Sequence, residues 1–220
     1  MSNNLLALPV ILACAFALGD GSGAAERMPT EKEKAQFSRN FARGCSEGKN
    51  IYKSIVLIGG NKEIHNRYCH CVGNYFVEHV RSISDFDASN KKSPFYGSKF
   101  NWAAREFCLR KTFPVDSRNY DKLVELMNTD LSKMPIPMLV SGAYGNTISV
   151  EVVSSFGVPS VKDGVPSADD EFKKFVRDLA CGLLKDYELF DTHVNVGAHV
   201  GRSGPAFSFL ANLRSCNFLP

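Results

Sequence analysis

Two cysteines separated by a single residue, Cys69-His70-Cys71, lie in the middle of an amphipathic run from about Lys62 to Ile83. On an α-helix they point about 160° apart, so they cannot bridge one another without breaking the helix. Each can instead staple a different neighbour. The apolar stripe of this run (Ile64, Tyr68, Val72, Tyr75, His79 and Ile83) falls within about 100° of arc at helical spacing, and the two cysteines flank it. Such a segment demands one cysteine-bearing element on its left and another on its right. Cys45 precedes it, following Phe37 and Phe41 at i, i+4, i+8; Cys108 follows it, behind Trp102 and Phe107. Helix geometry favours Cys69 and Cys71 each taking one of these two, and leaves open which takes which. Cys181 and Cys216 are then left to pair with each other.

Six cysteines arranged this way need an oxidising compartment. The start of the chain agrees: an apolar run from Leu5 to Leu18 is followed by small residues up to Ala25, which reads as a secretory signal peptide over residues 1–25. At 14 residues the run is shorter than the roughly 20 needed for a stable membrane span. Cys14, behind Ile11-Leu12-Ala13, offers a lipid-anchored variant, although leucine directly before the small residue is atypical. The protein is therefore expected to be periplasmic or secreted. Its whole-chain net charge is only +3, with 16 basic and 10 acidic side chains over residues 26–117 against 10 and 12 over 118–220. That asymmetry suggests two modules and is too weak to argue for nucleic acid.

The first module, residues 26–117, reads as helical and disulfide-linked. Thr30 with Glu33 three residues on forms a capping-box pattern, and Phe113-Pro114 ends the third helix. The second module, 118–220, runs helix, strand, strand, helix, strand, strand. Its first helix carries Tyr120, Leu123, Val124, Met127 and Leu131, and its second Phe172, Phe175, Val176, Leu179, Leu183 and Tyr187. Strand candidates surround Gly145-Asn146, with Ile148, Val150 and Val152 on one face; Val194, Val196 and Ala198 alternate later, as do Phe207, Phe209 and Ala211. The expected fold is α+β, with two hairpins in an antiparallel sheet packed by two helices. Cys216 is expected to end the last strand.

Met134-Pro135, Cys181 and Cys216 give the second module a layout that resembles a domain of small exported bacterial proteins of uncharacterised function. In that layout a Met-Pro start is followed by a hairpin, a helix with a cysteine, a second hairpin and a terminal cysteine. The first module resembles the helical Cys…Cys-x-Cys segments of other exported bacterial proteins through Phe41, Cys45, Tyr68, Cys69 and Cys71. The Met-Pro start continues here with Ile136-Pro137, where an acidic residue is expected. The resemblance implies location and fold, and carries no activity.

Chemistry-bearing residues are sparse. His65, Cys69, His70 and Cys71, with His79 two turns on, make a metal site the sharpest alternative, since thiolate and imidazole suit zinc or copper(I). A regular helix does not converge those side chains, however, and no cofactor is expected. His193, His199, Ser155 and Asp191 are the scattered residues from which a hydrolase site could assemble, but Ser154-Ser155 lacks a nucleophile-elbow pattern. Arg202, in a glycine-flanked turn, reads as solvated. Phe95, Tyr96 and Phe100 crowd a loop beside Lys99, which suggests a contact surface. The expectation is a non-enzymatic exported protein that binds another exported protein, as an inhibitor or immunity factor does.

Overall fold

The computed structural model describes residues 27–220 apart from 88, 89, 91, 94, 96, 137, 154–159, 163, 164, 168, 169, 190, 200–204, 219 and 220; residues 1–25, expected as a signal peptide, and Cys14 among them lie outside the described residues. Two compact units emerge. One comprises the chain up to Lys53 together with Asn61–Thr112, the other Ser54–Gly60 together with Phe113–Pro220. The short segment Ser54–Gly60 thus belongs with the second unit, where the Asn119 amide donates to the Ile58 carbonyl at 3.1 Å.

In the first unit, α1 (Glu31–Glu47) starts on the expected capping box: the Thr30 hydroxyl accepts from the Glu33 amide at 3.3 Å, and the Glu33 carboxylate accepts from the Thr30 amide at 2.8 Å. The helix α2 (Lys49–Leu57) follows, in this unit only as far as Lys53, and Asn61 caps α3 (Lys62–Glu78), accepting from the Ile64 amide at 3.0 Å. The last helix of the unit is α4 (Ser98–Thr112). The two expected staples form as Cys45–Cys69, joining α1 to α3, and Cys71–Cys108, joining α3 to α4.

The buried side of α3 is turned from the apolar stripe toward Cys69. It comprises His65, Tyr68, Cys69, Val72, Gly73 and Phe76, while Tyr75 is half-buried and His79 exposed. The cause is the close crossing of α1. A Cβ placed on Gly73 would lie 2.9 Å from the Ser38 carbonyl oxygen, so only glycine admits this approach. The Ser38 hydroxyl donates to the Asn74 side chain at 2.6 Å beside the crossing. Rings fill the rest of the unit: Phe37 stacks on Phe86 at 4.1 Å, Phe41 meets Phe76 edge-on at 4.9 Å, and Phe76 stacks on Phe95 at 5.2 Å.

In the second unit, α5 (Asp121–Leu131) buries Leu123, Met127 and Leu131 beside β1 (Met138–Tyr144). A two-residue turn leads to β2 (Thr147–Val153), with Gly145 at φ +57° as the first central residue of a II′-type hairpin demands. A short antiparallel ribbon, β3 (Ser160–Lys162) with β4 (Val165–Ser167), precedes α6 (Asp170–Asp186); β5 (His193–His199) and β6 (Pro205–Ala211) close the chain. The main sheet has the order β1-β2-β5-β6.

The α+β class holds, but the sheet is not wholly antiparallel: β2 and β5 run parallel, Thr147 beside His193 and Val153 beside His199. The physical reason is α6. Its 17 residues rise about 25 Å, which matches the roughly 23 Å length of a seven-residue strand. The chain is therefore returned to the end at which β2 began. Valines and isoleucine of alternating register form the core: Ile148, Val150, Val152, Val194, Val196 and Ala198 are all under 2% exposed. Val176, Ala180 and Leu184 of α6 cover them. Cys181 bridges to Cys216, which stands in a turn beyond β6 and not at the strand's end.

Candidate functional site

The crossing of α1 and α3 gathers three donor groups from two helices. Cys69 is one helical turn after His65 on α3, and the bridge brings in Cys45 from the last turns of α1. The two sulfurs and a ring nitrogen of His65 all lie within 4.8 Å of one another, and all three residues are buried. His65 is 0% exposed, and neither of its ring nitrogens has a hydrogen-bonding partner among the described residues. A buried imidazole ordinarily satisfies at least one nitrogen. Burial, with the charge of Lys62 second, pushes this imidazole below the usual histidine value. The partly exposed Tyr52 ring lies 5.4 Å from it, and the Lys62 ammonium lies over that ring while donating to the Ser46 carbonyl at 2.6 Å.

The other residues weighed for metal do not join this group. His70 is exposed, Cys71 is bridged to Cys108, and His79 stacks on Tyr75 at 4.2 Å with its Nδ1 2.7 Å from the Tyr75 carbonyl oxygen. Convergence comes from α1, not from a single helix.

The hydrolase residues are placed otherwise. Asp191 forms a bidentate ion pair with Arg118, both oxygens at 2.7 Å and both side chains fully buried. The same guanidinium donates to the Phe113 carbonyl at 2.9 Å through Nε. Asp191 is thus engaged as a structural anion. His193 is half-buried at the start of β5, while Ser154, Ser155, Arg202 and the side chain of His199 lie outside the described residues.

Of the aromatic loop expected as a contact surface, Phe95 requires correction. Phe95 is 4% exposed, and Phe100 packs on Tyr75, Phe76 and Phe95 at 5.2–5.6 Å. Burying the Phe95 ring outweighs leaving it for a partner, so it joins the unit's core, while Phe100 stays half-buried. Lys99 is exposed and Tyr96 lies outside the described residues.

A surface that sequence reasoning missed is the sheet face opposite α5 and α6. Register puts Leu139 beside Glu151, Tyr144 beside Thr147, and Leu210 beside Asn195. Seven large apolar side chains are exposed among the described residues, and three of them stand on this face: Leu139 at 54%, Tyr144 at 92% and Leu210 at 48%. Between them lie Ser149, Glu151, His193 and Asn195, all half-buried. Strict alternation was the available signal, since each exposed leucine adjoins a residue of the buried face (Val140, and Phe209 with Ala211). Compared with protein-family models, with curated proteins and with solved structures, the chain matches none.

Proposed function

We propose that this is a periplasmic or secreted, non-enzymatic protein that binds another exported protein, and that the outward face of its four-stranded sheet is the contact surface. The observation that carries this reading is the placement of Leu139, Tyr144 and Leu210 on one sheet face around a polar middle. Apolar anchors spaced around half-buried polar groups are the composition of a protein–protein interface. Three disulfides support export, because such bonds persist outside the reducing cytosol. Among the described residues no helix is long and apolar enough to cross a membrane. An inhibitor or immunity factor is the kind of protein that needs a rigid scaffold and no catalytic centre.

The test compares the wild type with a Leu139→Asp/Leu210→Asp variant as bait in periplasmic extract at physiological salt. Both must keep their disulfides and their circular dichroism. The reading expects one protein captured stoichiometrically by the wild type and lost with the variant. Equal capture by both, or none by either, overturns it.

A further inference from the structure

We infer that Cys45, His65 and Cys69 form a latent zinc site that opens when the Cys45–Cys69 bridge is reduced. The donor set is already assembled, with two sulfurs and an imidazole nitrogen within 4.8 Å. Zinc bonds thiolate sulfur at about 2.3 Å and imidazole nitrogen at about 2.0–2.1 Å, so ligand atoms around one ion stand roughly 3–4 Å apart. Separating two sulfurs from disulfide contact to that spacing needs only a small shift of α1 against α3. Cys45 stands near the end of α1, where Gly48 terminates the helix, and is itself 8% exposed.

His65 supplies the independent reason to read a site here. A fully buried imidazole without a hydrogen-bonding partner among the described residues serves neither solubility nor a hydrogen-bond network. Its neutral form is the form that binds metal.

The chemistry balances with a dithiol reductant. The Cys45 Sγ–Cys69 Sγ bond breaks, two electrons and two protons pass from the dithiol to the sulfurs, and the reductant leaves as its own disulfide. Zinc(II) then displaces the two thiol protons and accepts a lone pair from His65, leaving a fourth position that these three residues do not fill. The ion takes over the bridge's task of tying α1 to α3.

The test uses the full processed chain, reduced with a phosphine that is then removed, and zinc alone as the probe. The inference expects one zinc per reduced chain and none for the oxidised chain. It also expects zinc to protect Cys45 and Cys69 from alkylation while Cys71, Cys108, Cys181 and Cys216 are modified. In parallel, His65→Gln should weaken zinc at least tenfold, and the exposed-site variant His70→Gln should leave it unchanged. The alkylation map needs no variant, so it decides the matter even if His65→Gln fails to fold. Absence of zinc uptake by the reduced wild type, or protection of other cysteines, overturns the inference.

Discussion

The two units solve the problem of staying folded in different ways. The first has three principal helices, rings between them, and two disulfides that meet at the centre of α3. The second has a sheet whose inner face is nearly dry, one disulfide near the chain's end and, among the described residues, one buried ion pair. A unit with few regular apolar layers leans on crosslinks. A unit with a continuous valine-rich sheet core leans on burial, and can carry a costly charge pair at its edge.

The largest single effect is expected from that pair. Arg118→Ala leaves the Asp191 carboxylate buried and unpaired, which should cost about 3–5 kcal/mol in urea unfolding of the second unit. An Arg118→Met/Asp191→Leu double variant should recover most of it; if it does not, the pair does more than satisfy itself.

Next comes the crosslink between α3 and α4. Cys71→Ala/Cys108→Ala opens a 37-residue separation and should remove roughly 3–4 kcal/mol. The loss should register in amide exchange of the first unit and leave β2 and β5 unchanged. Equal loss in both units would erase the contrast between them.

Smaller again is Gly73→Ala. The added methyl meets the Ser38 backbone carbonyl at 2.9 Å, where no flexible side chain can yield. Overpacking of this kind costs about 1–3 kcal/mol, measurable as a lower urea midpoint with an unchanged slope. A neutral result would mean that α1 and α3 cross more loosely than described.

The least effect concerns Glu33, held down to about 2 chiefly by the Arg27 side chain, then by the Thr30 amide and hydroxyl. A carboxylate depressed when folded stabilises above its unfolded value near 4.3 and loses that contribution as pH falls toward 2. Fraying of the first turn of α1 should therefore grow over that window, read by amide exchange, and Glu33→Gln should abolish the pH dependence.

Much of this was legible in the amino acids. A Cys-x-Cys on a helix requires two different partners, and Cys45 and Cys108 were the elements flanking it. The assignment of each was not legible, because 160° of separation says nothing of which neighbour packs on which side. Alternation in β2 and β5 located the inner face but is identical for parallel and antiparallel pairing, so only the length of α6 distinguishes them. An apolar stripe also ignores small and polar residues that are buried, which is why it contains Tyr75 and His79 while the helix buries Gly73 and His65. Phe95 departs for the opposite reason: its loop position suggests exposure, whereas its ring area drives it inward. Leu139 and Leu210 were implicit in the strand period, yet nothing local marked that face as open.

Amide exchange of the protein, with and without a phosphine reductant in chelator-containing buffer, most directly tests whether crosslinks hold the first unit and burial the second. The account predicts that reduction strips protection from α1, α3 and α4 while β2, β5 and the core-facing turns of α6 keep theirs. Protection lost equally in the sheet, or retained in the three helices after all six cysteines are shown to be reduced, would contradict it.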